Sequence, residues 1–195
     1  MPPVVSAELA ERARKIRMVL MDVDGVLTDG RVWFLPNPSG GIFETKGFDS
    51  QDGIAMHWLK RYGYLTGMIS GRTAEATAER GRQGKFDYVY MGNTEKLGIF
   101  QEILEKSGCR PEEVAYLGDD LTDAILMRRV GLAVAVANAR PEVTAMAHYV
   151  TLARGGEGAL REATELLLDA RGVWPEILAH YEVDLPAGKR PGFGG

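Results

Sequence analysis

The sequence predicts an α/β fold in three layers, a mostly parallel sheet with helices on both faces and a small β-hairpin insertion after the first strand. Two observations predict it. Short apolar runs alternate with longer amphipathic stretches along most of the 195 residues, the pattern of βαβ units with right-handed crossovers. Several apolar runs also stop abruptly at polar residues, among them Asp22, Ser70 and Asp119. In a parallel sheet such strand ends share one edge, where open α/β sheets place their ligands.

Each element follows from local signals. Ser6 is placed to cap a helix running to about Lys15, with Glu8 in its first turn and Arg14 and Lys15 in its last. Met18 to Met21 reads as a buried strand ending at Asp22 and Asp24. Arg31 to Lys46 holds two β-rich runs around P-N-P-S-G-G, a hairpin that follows the two carboxylates and overhangs them, too short to close the site alone. Ser50 to Gly53 opens a helix with Ile54, Trp58, Leu59 and Tyr62 at core-facing spacing, ended by Gly63. Strand Tyr64 to Ile69, helix Thr73 to Arg82, strand Phe86 to Met91 and helix Glu95 to Lys106 follow. Next come strand Val114 to Leu117, a helix through Met127, strand Gly131 to Val136, helix Pro141 to Met146, strand His148 to Thr151 and helix Gly158 to Arg171. Trp174, Ile177 and Tyr181 fall at helical spacing beyond it, as an extra packing helix or an arm toward a neighbour.

The chain reads as one domain over 1–185, the hairpin occupying about 31–46, with a tail at 186–195 that lacks apolar periodicity and is expected to be mobile. A hydrophobic share of 45% suffices for a real core. The net charge of −4 argues against a nucleic acid partner. It leaves room for a small phosphorylated substrate, because a bound cation reverses the local field. No run reaches bilayer-spanning length, so no membrane partner is expected. Cys109 is the only cysteine, which excludes an intrachain disulfide and fits a reducing cytoplasm.

Taken singly, the polar residues have ordinary explanations. D-x-D is common in turns and caps, Ser70 could cap the helix after it, and lysines such as Lys96 usually lie on solvated helix faces. Asp119 and Asp120 suit a helix first turn, and Asp123 a solvated face. His57 and His148 have no metal spacing, and Cys109 no neighbouring base. Together, four chemically coherent strand ends on one edge describe phosphoryl transfer. A carboxylate can be the nucleophile and a second, two residues on, the acid/base. A hard divalent cation offsets the repulsion between two anions, and a hydroxyl with an ammonium steadies the equatorial oxygens.

The order D-V-D-G-V-L-T-D-G, S-G-R, Lys96 and G-D-D-L-T-D resembles the haloacid dehalogenase superfamily of phosphatases over roughly residues 15 to 170. The D-G-V-L-T-D-G extension, the hairpin, and G-G-E-G-A-L-R-E at Gly155 to Glu162 resemble its capless branch, which contains the 3-deoxy-D-manno-octulosonate 8-phosphate phosphatases. The resemblance implies a Rossmann-like fold, Mg²⁺ as cofactor and hydrolysis of that sugar phosphate through an aspartyl-phosphate. Other readings are a phosphatase of a nonulosonate 9-phosphate, and a non-catalytic, phosphatase-like assembly domain.

It implies Asp22 as nucleophile and metal ligand, Asp24 as acid/base giving its backbone carbonyl to the metal, and Asp119 as a further ligand. Asp120 and Asp123 would hold Lys96 or metal-bound water. Ser70, Gly71 and Lys96 would hold the phosphate, and Arg72 and Arg161 are candidates for the sugar-acid carboxylate. Many relatives carry an arginine where this chain has Gln51. The assembly implied is a homotetramer, with hairpins packed together and a neighbour walling the open site.

Overall fold

All four residues of the first apolar run are buried, because helices cover both sides of the sheet. Val19 and Met21 face one apolar cluster, Met18 and Leu20 the other, as the two-residue period of a strand requires. The structure, a computed structural model, describes residues 5–184. Among them the elements are α1 (Ala7–Lys15), β1 (Met18–Met21), β2 (Trp33–Pro36), β3 (Ile42–Thr45), α2 (Ser50–Arg61), β4 (Leu65–Ile69), α3 (Glu75–Gly84) and β5 (Tyr88–Tyr90). There follow α4 (Lys96–Ser107), a 3-10 turn at Pro111–Glu113, β6 (Val114–Gly118), α5 (Leu121–Met127), β7 (Leu132–Ala135), α6 (Pro141–Thr144), β8 (Tyr149–Val150), α7 (Ala159–Ala170) and α8 (Trp174–His180). The tail expected at 186–195 lies outside the described residues.

The main sheet has the order β5-β4-β1-β6-β7-β8, and every pairing in it is parallel. β1 is central, with β4 on one side and β6 on the other. The chain therefore reverses its winding at β1, the switch point where a crevice opens above the strand ends. α1, α2 and α7 contribute to the cluster on one face, and α4 and α5 to the cluster on the other. This is the Rossmann-like three-layer arrangement. The hairpin β2–β3 stands apart as an antiparallel pair.

Local signals account for most boundaries. The Ser6 hydroxyl accepts from Leu9 N at 3.1 Å and starts α1. Three expectations need correction. Ile54 is 45% exposed and does not face the core; buried Asp52 is the inward residue of that first turn. α3 starts at Glu75 rather than Thr73, and Ser70 does not cap it: its hydroxyl instead accepts from Arg72 N at 3.1 Å. The segment after Arg171 forms a packing helix, α8, with Ile177 buried and Trp174 edge-on to Trp58 of α2 at 5.4 Å.

Candidate active site

Asp22 is the first residue past β1 and is buried, its Oδ1 accepting from Val23 N at 2.7 Å. The turn after it is tied by buried Thr28, whose hydroxyl donates to Val23 O and accepts from Gly25 N and Gly30 N. A second loop packs beneath: Gly156 N donates to Val26 O at 3.0 Å, and a Cβ on Gly155 would lie 1.6 Å from Gly25 O. The two stretches D-G-V-L-T-D-G and G-G-E-G thus form one loop-on-loop platform.

Asp119 follows β6 and comes up beside that platform. Gly25, at φ +96°, has to be glycine twice over: the conformation disfavours a side chain, and a Cβ would sit 2.2 Å from Asp119 Oδ2. Lys96 opens α4 and is almost fully buried. Its Nζ lies 3.1 Å from Asp22 Oδ1 and 2.6 Å from Asp123 Oδ1. Tyr116 of β6 completes that group, its hydroxyl donating to Asp123 Oδ1 at 2.7 Å. The other oxygen of Asp123 accepts from Asp119 N and Asp120 N at 3.0 and 3.2 Å. Asp123 is therefore a buried strut between Lys96 and the Asp119 loop.

The electrostatics follow from crowding. Burial, then the charge of Asp123, pushes the pKa of Asp22 up to about 6, against the pull of Lys96. Burial, then Asp123 and Asp22, pushes Asp119 up to about 7. Burial works against the charge of Lys96, but Asp123 and Asp22 outweigh it and its pKa is raised. Carboxylate oxygens of Asp22, Asp119 and Asp123 lie within 4.8 Å of one another. Asp119 Oδ1 is buried with no hydrogen-bond partner among the described residues. Hard oxygen donors, mutual repulsion and an orphaned buried oxygen fit a small divalent cation such as Mg²⁺.

A cleft of about 150 Å³ opens over these groups, lined by Asp22, Asp24, Gly71, Arg72, Thr94, Lys96 and Thr122. Ser70, past β4, is buried beside it and donates to Asp24 Oδ2 at 3.4 Å. The structure thus brings together Asp22, Asp24, Ser70, Gly71, Arg72 and Asp119 from the loops after β1, β4 and β6, with Lys96 of α4 and Asp123 of α5. Two expectations change. Asp120 borders the site, its N–H donating to Asp123, but its exposed side chain caps α5, accepting from Leu121 N at 2.7 Å, so it does not hold Lys96. Arg161 stacks over Trp58 at 4.0 Å and pairs with Glu165 one turn away, and it does not line the cleft.

Lys46, Tyr116, Thr94 and Thr122 were not singled out by the sequence. Lys46 ends the hairpin, its side chain fully buried, with Nζ 2.6 Å from Asp24 Oδ1. Its alternation with Glu44 at the foot of β3 was the available signal. His148 is structural, its Nδ1 accepting from Ala133 N at 2.9 Å, and Cys109 is buried.

The family profile of haloacid dehalogenase-like hydrolases matches residues 64–161. The 3-deoxy-D-manno-octulosonate 8-phosphate phosphatase KdsC of Escherichia coli strain K12 is 40% identical over 168 residues, 86% of this chain and 87% of that protein. The crystal structure of the 3-deoxy-D-manno-octulosonate 8-phosphate phosphatase from Yersinia pestis superimposes with a TM-score of 0.81 at 38% identity, covering 87% of this chain and 89% of that one. That of the Moraxella catarrhalis phosphatase, in complex with magnesium ion, phosphate ion and KDO, gives a TM-score of 0.83 at 33% identity, covering 89% and 98%.

Proposed function

Because the chain belongs to the haloacid dehalogenase-like hydrolases, we propose that it is a magnesium-dependent phosphatase of 3-deoxy-D-manno-octulosonate 8-phosphate. The observation that carries this reading is the convergence of Asp22, Asp24, Ser70 and Lys96 on one cleft, in a chain similar to these phosphatases over most of its length.

Asp22 is the nucleophile: its carboxylate oxygen attacks phosphorus as the bond to the sugar oxygen breaks. Asp24 gives a proton to that leaving oxygen, which departs as the sugar hydroxyl. Asp24 then takes a proton from a water molecule, whose oxygen attacks phosphorus and frees Asp22 and inorganic phosphate. Lys96 and Ser70 hold the transferred group, and backbone N–H groups around Val23 to Gly25 and Gly71 add to that cradle. Asp123 and Tyr116 keep the Lys96 ammonium aimed at Asp22. Asp22, Asp119 and the Asp24 carbonyl would hold Mg²⁺, which would supply charge neutralisation between nucleophile and phosphate. Arg72 lines the cleft, paired with Glu44, and remains our candidate for the sugar-acid carboxylate.

Among the described residues no cap domain covers the cleft, so we place its outer wall in a neighbouring copy, within a cytoplasmic homotetramer. Supporting this, the hairpin exposes Trp33, Phe34, Leu35, Ile42 and Phe43 together, an apolar surface that a monomer rarely shows. The test of the chemistry is Asp22→Asn. Phosphate release falls to background while far-UV circular dichroism and melting stay those of a folded protein. Undiminished release by that variant would reject the nucleophile.

A further inference from the structure

Five residues around the cleft close into a ring that the reaction scheme above leaves partly unused. Ser70 Oγ donates to Asp24 Oδ2 at 3.4 Å, and Asp24 Oδ1 accepts from Lys46 Nζ at 2.6 Å. Lys46 Nζ lies 3.4 Å from Glu44 Oε1, Glu44 Oε2 lies 3.3 Å from Arg72 Nη1, and Arg72 N returns to Ser70 Oγ at 3.1 Å. The members come from the loop after β1, the foot of the hairpin and the loop after β4. We propose that Lys46 is a positioning residue for catalysis: it pins one oxygen of Asp24 so that the other is presented, beside Ser70, to the oxygen of the leaving group.

The inference deepens the phosphatase reading and rests on it, since it takes Asp24 as the acid/base. Three facts carry it. The Lys46 side chain has no exposure at all, so its ammonium has exchanged water for carboxylates, and a buried cation is tolerable only when so paired. A link to Glu44 alone would anchor the hairpin, yet the shorter contact goes to Asp24. With Oδ1 held by Lys46, the carboxylate cannot turn freely about its last bond, and Oδ2 stays on the Ser70 side. Orientation of this kind is what general acid catalysis needs at the instant the ester oxygen accepts its proton and the P–O bond breaks. The foot of the hairpin thereby acts on the chemistry through Asp24.

Leaving groups separate this role from a structural one. An aryl phosphate departs without help from an acid, whereas a primary alkyl phosphate needs it, and kcat/KM reports the steps through that departure. With Mg²⁺ present, Lys46→Met is expected to lower kcat/KM for 3-deoxy-D-manno-octulosonate 8-phosphate about tenfold or more. On p-nitrophenyl phosphate the loss stays within about threefold, and inhibition by inorganic phosphate is unchanged. Lys46→Gln, which keeps a neutral donor for Asp24, is expected to recover part of the alkyl-ester activity and carries the test should the methionine variant fail to fold. Equal losses on both esters, no loss on either, or a loss residing wholly in KM would overturn the role of Lys46. Failure of the unmodified enzyme to hydrolyse any phosphate ester would instead overturn the phosphatase reading beneath it.

Discussion

A single carboxylate can serve chemistry or packing, and its surroundings decide which. Asp22 and Asp123 share a buried site with Lys96, whereas Asp52 is buried on α2, where its Oδ1 accepts from Arg161 N at 2.9 Å and caps α7 from another helix. Asp52 Oδ2 has no hydrogen-bond partner among the described residues, and burial lifts the pKa of this carboxyl to about 6. The folded chain therefore holds this proton more tightly than the unfolded chain does. That favours folding at low pH, and the advantage is lost as pH rises from about 4 through about 6. Asp52→Asn keeps an acceptor for the Arg161 amide and removes the charge. Melting curves from pH 4.5 to 8 are expected to show the variant gaining on the parent as pH rises, and a constant difference would contradict this. The sequence showed Asp22, Asp24, Ser70, Lys96 and Asp119 because they stand at strand ends in a fixed order. It did not show Asp52, whose partner lies 109 positions away, or Lys46, because a hairpin lysine looks like any solvated one. Arg161 was misread for a related reason: a residue beside a glycine-rich loop looked available, but Trp58 and Glu165 had already engaged it.

Elements set the precision of the site. The glycine loop before α7 supports the turn after β1 from beneath, so a change in one displaces the other. Gly155→Ala puts a methyl carbon where Gly25 O now lies. Neither backbone can yield without moving Asp24, and overpacking of this kind costs about 1–3 kcal/mol. A lower melting temperature together with about tenfold or greater loss of kcat is expected; full activity would show that the two loops move independently. The hairpin is the second element with a task. Its strands were legible from β-rich runs around a Pro/Gly/Asn cluster, yet an isolated two-stranded ribbon is marginal in water. Here Lys46, buried against Asp24 and Glu44, ties its foot to the loop after β1, and its outward apolar side chains are exposed. Ile42→Glu, at a position 72% exposed, should leave the fold intact and shift sedimentation toward the protomer. An unchanged assembly size would remove the hairpin from the interface. Boundaries were read less well than existence: α3 begins late because no side chain caps it, and Ile54 turned outward because Asp52 took the inward position.

On the scale of the molecule, the strand order matters most. Placing β1 between β4 and β6 sets Ser70, Asp22 and Asp119 side by side at the switch point, and α4 brings Lys96 in from the next loop. The alternation of strands and helices implied one shared edge, but not which strand is central; that came from the pairing. Winding to both sides of β1 gives a small cleft rich in negative charge, where a bound cation offsets the repulsion an anionic ester would meet. The central claim is that these distant residues act as one metal-dependent phosphoryl-transfer site for an ulosonic acid phosphate. Its most direct measurement is phosphate release by the purified protein across a panel holding 3-deoxy-D-manno-octulosonate 8-phosphate, a nonulosonate 9-phosphate and common hexose phosphates, each with Mg²⁺ and with chelator. The account predicts the highest kcat/KM on the octulosonate ester, and loss of release on every ester once the metal is removed. Release that persists undiminished in chelator, or a preference for hexose phosphates over both ulosonate esters, would contradict it.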